Sequence, residues 1–199
     1  MLKLQLAVGY VMNSIVYAIS NDCNNYYFID IGNWQAAKSL LPEGAVVKGV
    51  FITHGHHDHI SGLNELKAVY PSCVVYASLD TVRMLRSAKA NLSFYKGSPF
   101  QYNEEVIELN NGNHIAIFDG VELVVVATPG HHPSCLSFIL GDYIFTGDSY
   151  IPGVDVVTKL PGGNRQQAQE SIKKILELSK DKIVCPGHYV DNTYKKSYG

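Results

Sequence analysis

The sequence lacks a long hydrophobic run and an excess of charge of either sign. Its apolar stretch nearest the N-terminus, residues 6–12, is interrupted by Gly9, whereas a membrane-spanning helix needs about 20 apolar residues. The 16 Lys and Arg residues are balanced by 18 Asp and Glu residues, which leaves a net charge of −2. Because this balance offers no basic face to nucleic acid or to a membrane surface, we expect neither partner. The predicted protein is cytoplasmic and acts on a small molecule.

The sequence also lacks closely spaced cysteines. Cys23, Cys73, Cys135 and Cys185 are far apart and form no C-x-x-C pair. A chain of 199 residues can bury a core without disulfides, so we expect buried free thiols. Nothing in the sequence fixes the oligomeric state, and a homodimer is one option.

No repeat, linker or low-complexity tract divides the chain, and we therefore predict a single domain, residues 1–199. Hydrophobic periodicity predicts helices at 34–41, 61–70, 79–95 and 164–180, with Asp80 as N-cap of the third. The last helix has an apolar face formed by Ala168, Ile172, Ile175, Leu176 and Leu178. Ten strands are predicted at 2–8, 14–19, 25–31, 45–53, 73–78, 114–118, 121–128, 135–140, 143–147 and 182–185. This order indicates an α/β fold of the layered α+β kind, with two sheets covered by helices.

Seven of the eight histidines fall in three clusters, and each cluster directly follows a predicted strand. The first cluster contains His54, His56, His57, Asp58 and His59. The second contains His131 and His132, the third contains His188, and Asp148 follows the strand that lies between them in sequence. Loops that leave one edge of a sheet can converge on a point, so these side chains are expected to form one site.

Imidazole and carboxylate groups are ligands for zinc, and also for iron or manganese. A tetrahedral zinc takes about four ligands, while these loops supply more donors than that. The inventory therefore predicts two metal ions that share a bridging carboxylate and a bridging water.

These residues resemble the metallo-β-lactamase superfamily and, within it, the glyoxalase II-like hydrolases. The motifs that carry the resemblance run in the order of that family: the early turn Asp30-Ile31-Gly32, residues 53–62 around the first histidines, then Thr128-Pro129-Gly130-His131, Phe145-Thr146-Gly147-Asp148 and Pro186-Gly187-His188. The resemblance implies a four-layer αβ/βα sandwich. It further implies that His54, His56 and His131 bind one metal, that Asp58, His59 and His188 bind the other, and that Asp148 bridges the two.

The resemblance assigns no ligand role to His57 or to His132. His57 falls on a variable position of the motif. Tyr150 and Tyr189 follow metal-ligand positions, and each is a candidate for proton donation to the leaving group or for lining the pocket. For His132 we keep two interpretations, an exposed loop residue or one that faces the substrate. His114 is expected at the surface, and Cys185 is expected to pack in the core.

The predicted reaction is hydrolysis of a small thioester, ester or lactone by a metal-bridging hydroxide, with two zinc ions and with Asp58 orienting the hydroxide. Two alternatives stay open: a persulfide dioxygenase-like oxidoreductase with one iron, and a phosphodiesterase acting on a small substrate. Hydrolysis of β-lactams is disfavoured, because no export signal is recognised in the sequence.

Overall fold

Two β-sheets, one of six strands and one of five, organise the chain in the structure, a computed structural model that describes residues 2–190. The described residues divide into two compact units, with the boundary between Glu108 and Leu109. The predicted mixed α/β fold with two sheets is confirmed. The single-domain assignment stays a prediction.

The first unit contains the six-stranded sheet, in which the strands follow their order in the sequence. β1 to β3 pair antiparallel, and β3 to β6 pair parallel. The strands are β1 (Lys3–Val8), β2 (Ile15–Ser20), β3 (Asn25–Ile29), β4 (Val46–Phe51), β5 (Val74–Ala77) and β6 (Ile107–Glu108), and the helices are α1 (Trp34–Lys38), α2 (His57–Ile60), α3 (Leu63–Val69) and α4 (Leu79–Leu85). The parallel pairing of β3 and β4 puts their carboxyl ends at one edge of the sheet, where the first histidine cluster begins.

The core of the first unit is made by this sheet and its helices. Val16, Phe28 and Val50 come from the strands, and Leu63 and Leu66 come from α3; all five side chains are fully buried. Burying a side chain of this size contributes about 1.5–3 kcal/mol. The loops that carry the histidines therefore start from a rigid base.

The second unit contains the five-stranded sheet, whose order is β11-β10-β9-β8-β7. Its elements are β7 (His114–Phe118), β8 (Val121–Ala127), β9 (Leu136–Leu140), β10 (Tyr143–Gly147), α5 (Arg165–Leu178) and β11 (Ile183–Pro186). β8 and β10 both pair antiparallel with β9, and β11 is parallel to β10. The carboxyl ends of β8, β10 and β11 consequently lie at the same edge, as the motif positions require.

The helix predicted at 79–95 is much shorter than expected. α4 begins after Ser78, whose hydroxyl accepts a hydrogen bond from the Thr81 N–H at 3.2 Å, so Ser78 and not Asp80 is the N-cap. The helix ends at Leu85, and Leu92 adopts a φ of +69°, which a continuous helix cannot contain. A single 3₁₀ turn at Ser93–Lys96 is all that remains of the predicted C-terminal part.

Two burial predictions are wrong. Leu176 is 46% exposed, because α5 buries Ala168, Ser171 and Ile175, and Leu176 lies a quarter-turn beyond that face. All four cysteines are free, but Cys23 is exposed. It lies in the turn between β2 and β3, where its N–H donates to the Asn21 side chain at 3.0 Å.

No helix within residues 2–190 combines the length and the apolar character that crossing a membrane would require.

Candidate metal centre

Asp30 organises the sheet edge where the first histidine cluster begins. It follows β3 and has a φ of +56°, a left-handed conformation that Asp tolerates better than most side chains. Its carboxylate accepts two hydrogen bonds from Thr53, from the backbone N–H and from the hydroxyl, both at 2.7 Å. The His59 Nδ1 donates a third bond to this carboxylate at 2.8 Å. Because Asp30 is 2% exposed, these bonds compensate the cost of burying its charge.

The first cluster is buried and close-packed. His54 and His59 are fully buried, and His56 and Asp58 are each 5% exposed. The His54 Nε2 lies 3.1 Å from the His56 Nδ1, and the His59 Nε2 lies 3.7 Å from an Asp58 carboxylate oxygen. Within this unit the structure thus brings together all four predicted ligands, with their nitrogen and oxygen atoms facing one another.

Gly32 lets the one-turn helix α2 approach the loop after β3. A side-chain carbon at position 32 would lie 1.5 Å from the carbonyl oxygen of Asp58, which is impossible without moving the backbone. The Ile31 N–H donates to the His59 carbonyl at 2.8 Å, which fixes this approach. The glycine of the early motif is therefore required by packing beside Asp58.

The second unit brings its three predicted ligands together at one sheet edge. Asp148 follows β10 and His188 follows the parallel strand β11, and the His188 Nε2 lies 3.2 Å from an Asp148 carboxylate oxygen. The His131 Nε2 lies 3.6 Å from the other oxygen of Asp148. His131 and His188 are 3% and 2% exposed, so Asp148 lies between two buried rings.

The orientation of His131 is set by the irregular segment 148–164. The His131 Nδ1 donates to the backbone carbonyl of Val157 at 2.7 Å, which leaves Nε2 as the atom with a free electron pair. The preceding Gly130 has a φ of +136°, and a side-chain carbon there would lie 2.2 Å from the Ala168 backbone nitrogen of α5. The Gly130 carbonyl also accepts from the Asn164 N–H at 2.8 Å.

The donor atoms in each unit fit divalent metal ions. Ligand nitrogens about 2.1 Å from a tetrahedral zinc lie about 3.4 Å from one another, and the close donor pairs of the two clusters are 3.1 to 3.7 Å apart. His59 and His131 each donate the N–H at Nδ1 to an oxygen acceptor, which leaves Nε2 for a metal. This arrangement orients metal-binding histidines in proteins. Both clusters thus have the chemistry and the spacing of divalent-metal ligands.

The remaining candidates have different surroundings. The Tyr150 carbonyl accepts from the Thr146 hydroxyl at 2.6 Å and its side chain is half-buried, whereas Tyr189 is 54% exposed. His132 is half-buried, which disagrees with the interpretation as an exposed loop residue, and a contact with the substrate stays a prediction. Its Nδ1 contacts the Ser134 hydroxyl at 2.8 Å, and its ring packs against Gly162.

His57 is buried beside the first cluster, with its Nδ1 3.4 Å from Asp58. His114 lies at the surface as expected, and its Nδ1 is 3.1 Å from Glu122. Cys185 packs in the second unit, and burial raises the pKa of its thiol to about 12, so it stays protonated and unreactive at neutral pH.

Sequence reasoning missed the residues that hold the ligands in place. The early motif places Asp30 in a turn and predicts no ligand-holding role for it, although a carboxylate at the end of the strand next to the motif-bearing strand could have indicated one. Val157 gives no signal, since it acts through its backbone carbonyl from 26 positions away.

Comparison with known proteins agrees with this geometry. The family model described as "Metallo-beta-lactamase superfamily" matches residues 13–188, which include both clusters. A curated relative, the hydroxyacylglutathione hydrolase of Pectobacterium atrosepticum, is 24% identical over 185 residues, covering 92% of this chain and 64% of the relative. The chain therefore spans less than two thirds of that relative's length.

Two solved structures have the same fold. The BLEG-1 B3 metallo-beta-lactamase superposes with a TM-score of 0.86 at 24% identity, over 94% of this chain and 92% of that one. TTHA1623 in a di-iron-bound form superposes with a TM-score of 0.79 at 22% identity, over 94% of this chain and 92% of that one. These solved structures show the fold. The two ligand clusters, in a chain that the metallo-beta-lactamase family model matches over residues 13–188, indicate binding of divalent metal ions and favour a hydrolase as the general class.

Proposed function

This chain belongs to the metallo-beta-lactamase superfamily, and from that premise we propose that it is a metal-dependent hydrolase of small thioesters, esters or lactones. The observation that carries the proposal is the pair of buried clusters, in which histidine nitrogens and carboxylate oxygens face one another at the spacing of metal ligands. The glyoxalase II-like choice among hydrolases is supported by the curated relative, a hydroxyacylglutathione hydrolase.

Seven residues are proposed to hold two metal ions, with zinc as the preferred ion. His54, His56 and His131 would bind one, Asp58, His59 and His188 the other, and Asp148 would bridge them. Iron is an alternative to zinc, since TTHA1623 has been solved in a di-iron-bound form. Manganese is a second alternative, because it accepts the same ligands. Bound ions of this kind would lower the pKa of a shared water molecule and supply hydroxide at neutral pH.

The chain's own residues would hold the site in one geometry during the reaction. Asp30 fixes the ring of His59, and the Val157 carbonyl fixes the ring of His131. Asp58 is the proposed catalytic residue, since its carboxylate can accept a hydrogen bond from the attacking water and so direct it at the substrate carbonyl. Tyr150, Tyr189 and His132 are proposed to contact the substrate. Of the three, Tyr189 is the most exposed to solvent.

The predicted small-molecule substrate, the absence of nucleic-acid and membrane partners, and the cytoplasmic location stay predictions. So do the dioxygenase and phosphodiesterase alternatives and the oligomeric state. The name of the BLEG-1 neighbour places β-lactams on the substrate panel despite the sequence-based expectation against them.

The decisive experiment combines metal analysis with a substrate panel. Purified protein is assayed for zinc, iron and manganese and is then offered thioesters, esters, lactones, phosphodiesters and a β-lactam. We expect about two zinc ions per chain and turnover of thioesters, esters or lactones. One iron per chain together with oxygen uptake would overturn the hydrolase proposal.

Replacing Asp58 with Ala tests the assignment of the site. We expect hydrolysis to fall by about 10²–10⁴-fold, the contribution of a positioned acid–base group, while the far-ultraviolet circular dichroism stays that of the native protein. Asp119→Ala, at the exposed turn between β7 and β8, is the matched control and should keep full activity. If Asp58→Ala retains activity, the site is misassigned.

A further inference from the structure

A cavity of about 360 Å³ lies within the first unit, beside the first histidine cluster. Its apolar walls are Val11 and Met12 from the loop between β1 and β2, and Trp34 from α1. His57 lines the same cavity, and it directly precedes the proposed catalytic residue Asp58. The volume is at the lower end of the range of about 300–1,000 Å³ that is usual for small-molecule sites.

Two opposite charges border this cavity. Lys96 lies at the end of the 3₁₀ turn and Glu65 lies on α3, and both side chains are exposed. Among residues 2–190, neither side chain forms an ion pair or hydrogen bond. A charge on a cavity rim that has no partner among the described residues is a candidate for pairing with a ligand.

Lys96 belongs to a segment with charge of one sign. From residue 81 to residue 103 the charged residues are Arg83, Arg86, Lys89 and Lys96, with no Asp or Glu. Arg83 pairs with Asp80 at 2.7 Å, and Lys89 lies 5.5 Å over the Phe94 ring. Lys96 is the cation of this segment that lines the cavity.

The segment is fixed to the histidine motif through Asn91. The Asn91 carbonyl accepts from the His57 N–H at 2.9 Å, and its side-chain oxygen accepts from the Ser93 N–H at 3.0 Å. Ser93 begins the turn that ends at Lys96. The position of the Lys96 backbone is therefore defined relative to the motif.

We propose that this cavity binds the acyl chain of the substrate and that Lys96 binds a single carboxylate at the far end of that chain. The apolar walls suit methylene groups, and the ammonium suits one anionic group. Glu65 would repel a second negative charge, which disfavours a phosphate dianion. The inference rests on the proposed hydrolase function, and it narrows the substrate class to thioesters or esters of dicarboxylic acids.

In the reaction, the oxygen of water forms a bond to the acyl carbon, the C–S bond breaks, and the thiol leaves with a proton.

The kinetic test compares adipoyl and hexanoyl thioesters of N-acetylcysteamine, which differ by the terminal carboxylate. We expect the native enzyme to prefer the adipoyl substrate by about tenfold in kcat/KM, as one charged hydrogen bond would give. Lys96→Met should remove the preference, and Lys89→Met is the matched control that should keep it.

A binding test needs no turnover, because the single tryptophan of the chain, Trp34, lines the cavity. Adipic acid monoamide and neutral hexanamide are titrated while Trp34 fluorescence is recorded. The monoamide should bind about tenfold more tightly than hexanamide to the native protein, and it should lose that advantage in Lys96→Met. Glu65→Gln should strengthen binding of the monoamide by a few-fold, since it removes a nearby negative charge.

The outcomes separate the two proposals. Equal rates on both thioesters, or a loss in Lys96→Met that is the same for both, would overturn the inference about Lys96. If no thioester, ester or lactone is hydrolysed but fluorescence shows Lys96-dependent binding of the monoamide, the binding site is supported and the hydrolase proposal fails. If neither hydrolysis nor binding occurs, both are wrong.

Discussion

The two ligand clusters orient their histidines by different means. In the first unit, the carboxylate of Asp30 holds the ring of His59 and also holds Thr53, which starts the motif. In the second unit, the backbone carbonyl of Val157 holds the ring of His131. The first cluster thus depends on one side chain, and the second depends on the path of a loop.

This difference predicts different sensitivity to mutation. A substitution at Asp30 removes the acceptor of three hydrogen bonds at once, but no substitution at Val157 removes its carbonyl. The second cluster should instead respond to changes that shift the backbone between His131 and α5. Each prediction below tests one side of this comparison.

The largest effect is expected from Gly130→Ala in the second unit. The added carbon would meet the Ala168 backbone at 2.2 Å, and the φ of +136° is unfavourable for alanine. We expect a loss of about 3 kcal/mol in the free energy of unfolding, together with weaker metal binding because His131 moves. Urea unfolding and metal titration measure the two effects.

Gly141→Ala is the matched control. Gly141 also has a positive φ, +54°, but no atom of the described residues lies within 4 Å of the added carbon. Gly141→Ala should lower the free energy of unfolding by only about 1 kcal/mol and should leave metal binding unchanged. Equal losses of metal binding in Gly130→Ala and Gly141→Ala would show that contact with α5 does not position His131.

A smaller effect is expected from Asp30→Asn in the first unit. The amide keeps the size of the side chain but loses its charge and one acceptor atom, so the ring of His59 is held less firmly. Loss of such an outer partner costs about 10–100-fold in metal affinity. We expect the variant to lose the metal that is proposed to bind His59 and to retain the other proposed metal, as measured by metal content after dialysis. If the variant retains its full metal content, Asp30 has no role in metal binding.

A buried thiol in each unit predicts that stability declines at alkaline pH. Burial raises the pKa of Cys73 and of Cys185 from 9.0 to about 12. Above about pH 9 the unfolded chain releases these protons while the folded chain retains them, so the free energy of unfolding falls as pH rises from 9 toward 12. Urea unfolding near pH 8 and pH 10 measures the decline, and Cys73→Ala or Cys185→Ala should make it shallower. An unchanged slope in both variants would assign the decline to other groups.

The smallest effect is expected from thiol modification, which should not change the fold. Cys23 is exposed and the other three cysteines are buried. A thiol reagent such as 5,5′-dithiobis(2-nitrobenzoate) should therefore modify Cys23 alone in the native protein and all four cysteines in denaturant. The Cys23→Ser variant should not react while folded. Rapid reaction of that variant would contradict the burial of the remaining thiols.

The fold class could be predicted, and so could the position of each candidate ligand near the end of a strand, because both depend on local patterns. Strand periodicity located β4, β8, β10 and β11, and the ligand-bearing residues follow these strands directly. Parallel strands then bring the loops to one edge, as Asp148 and His188 illustrate. The candidate ligands thus lie within a few residues of each strand end.

What could not be predicted depends on tertiary contacts. The pattern of residues 79–95 favours a helix, but the structure ends α4 at Leu85 and uses Asn91 to hold His57. That hydrogen bond joins residues 34 positions apart in the sequence, and no local sequence pattern predicts it. The contact of Val157 with His131 is of the same kind, since any residue has a carbonyl.

Gly32 has a consequence for how variants of this chain should be interpreted. Because the space beside it is filled by the Asp58 backbone, selection for folding alone would reject every other amino acid at that position. A descendant chain that had lost its enzymatic activity would therefore still carry glycine there. Retention of this glycine in a homologue is evidence that the polypeptide folds in the same way, and the ligand side chains must be inspected before any activity is assigned.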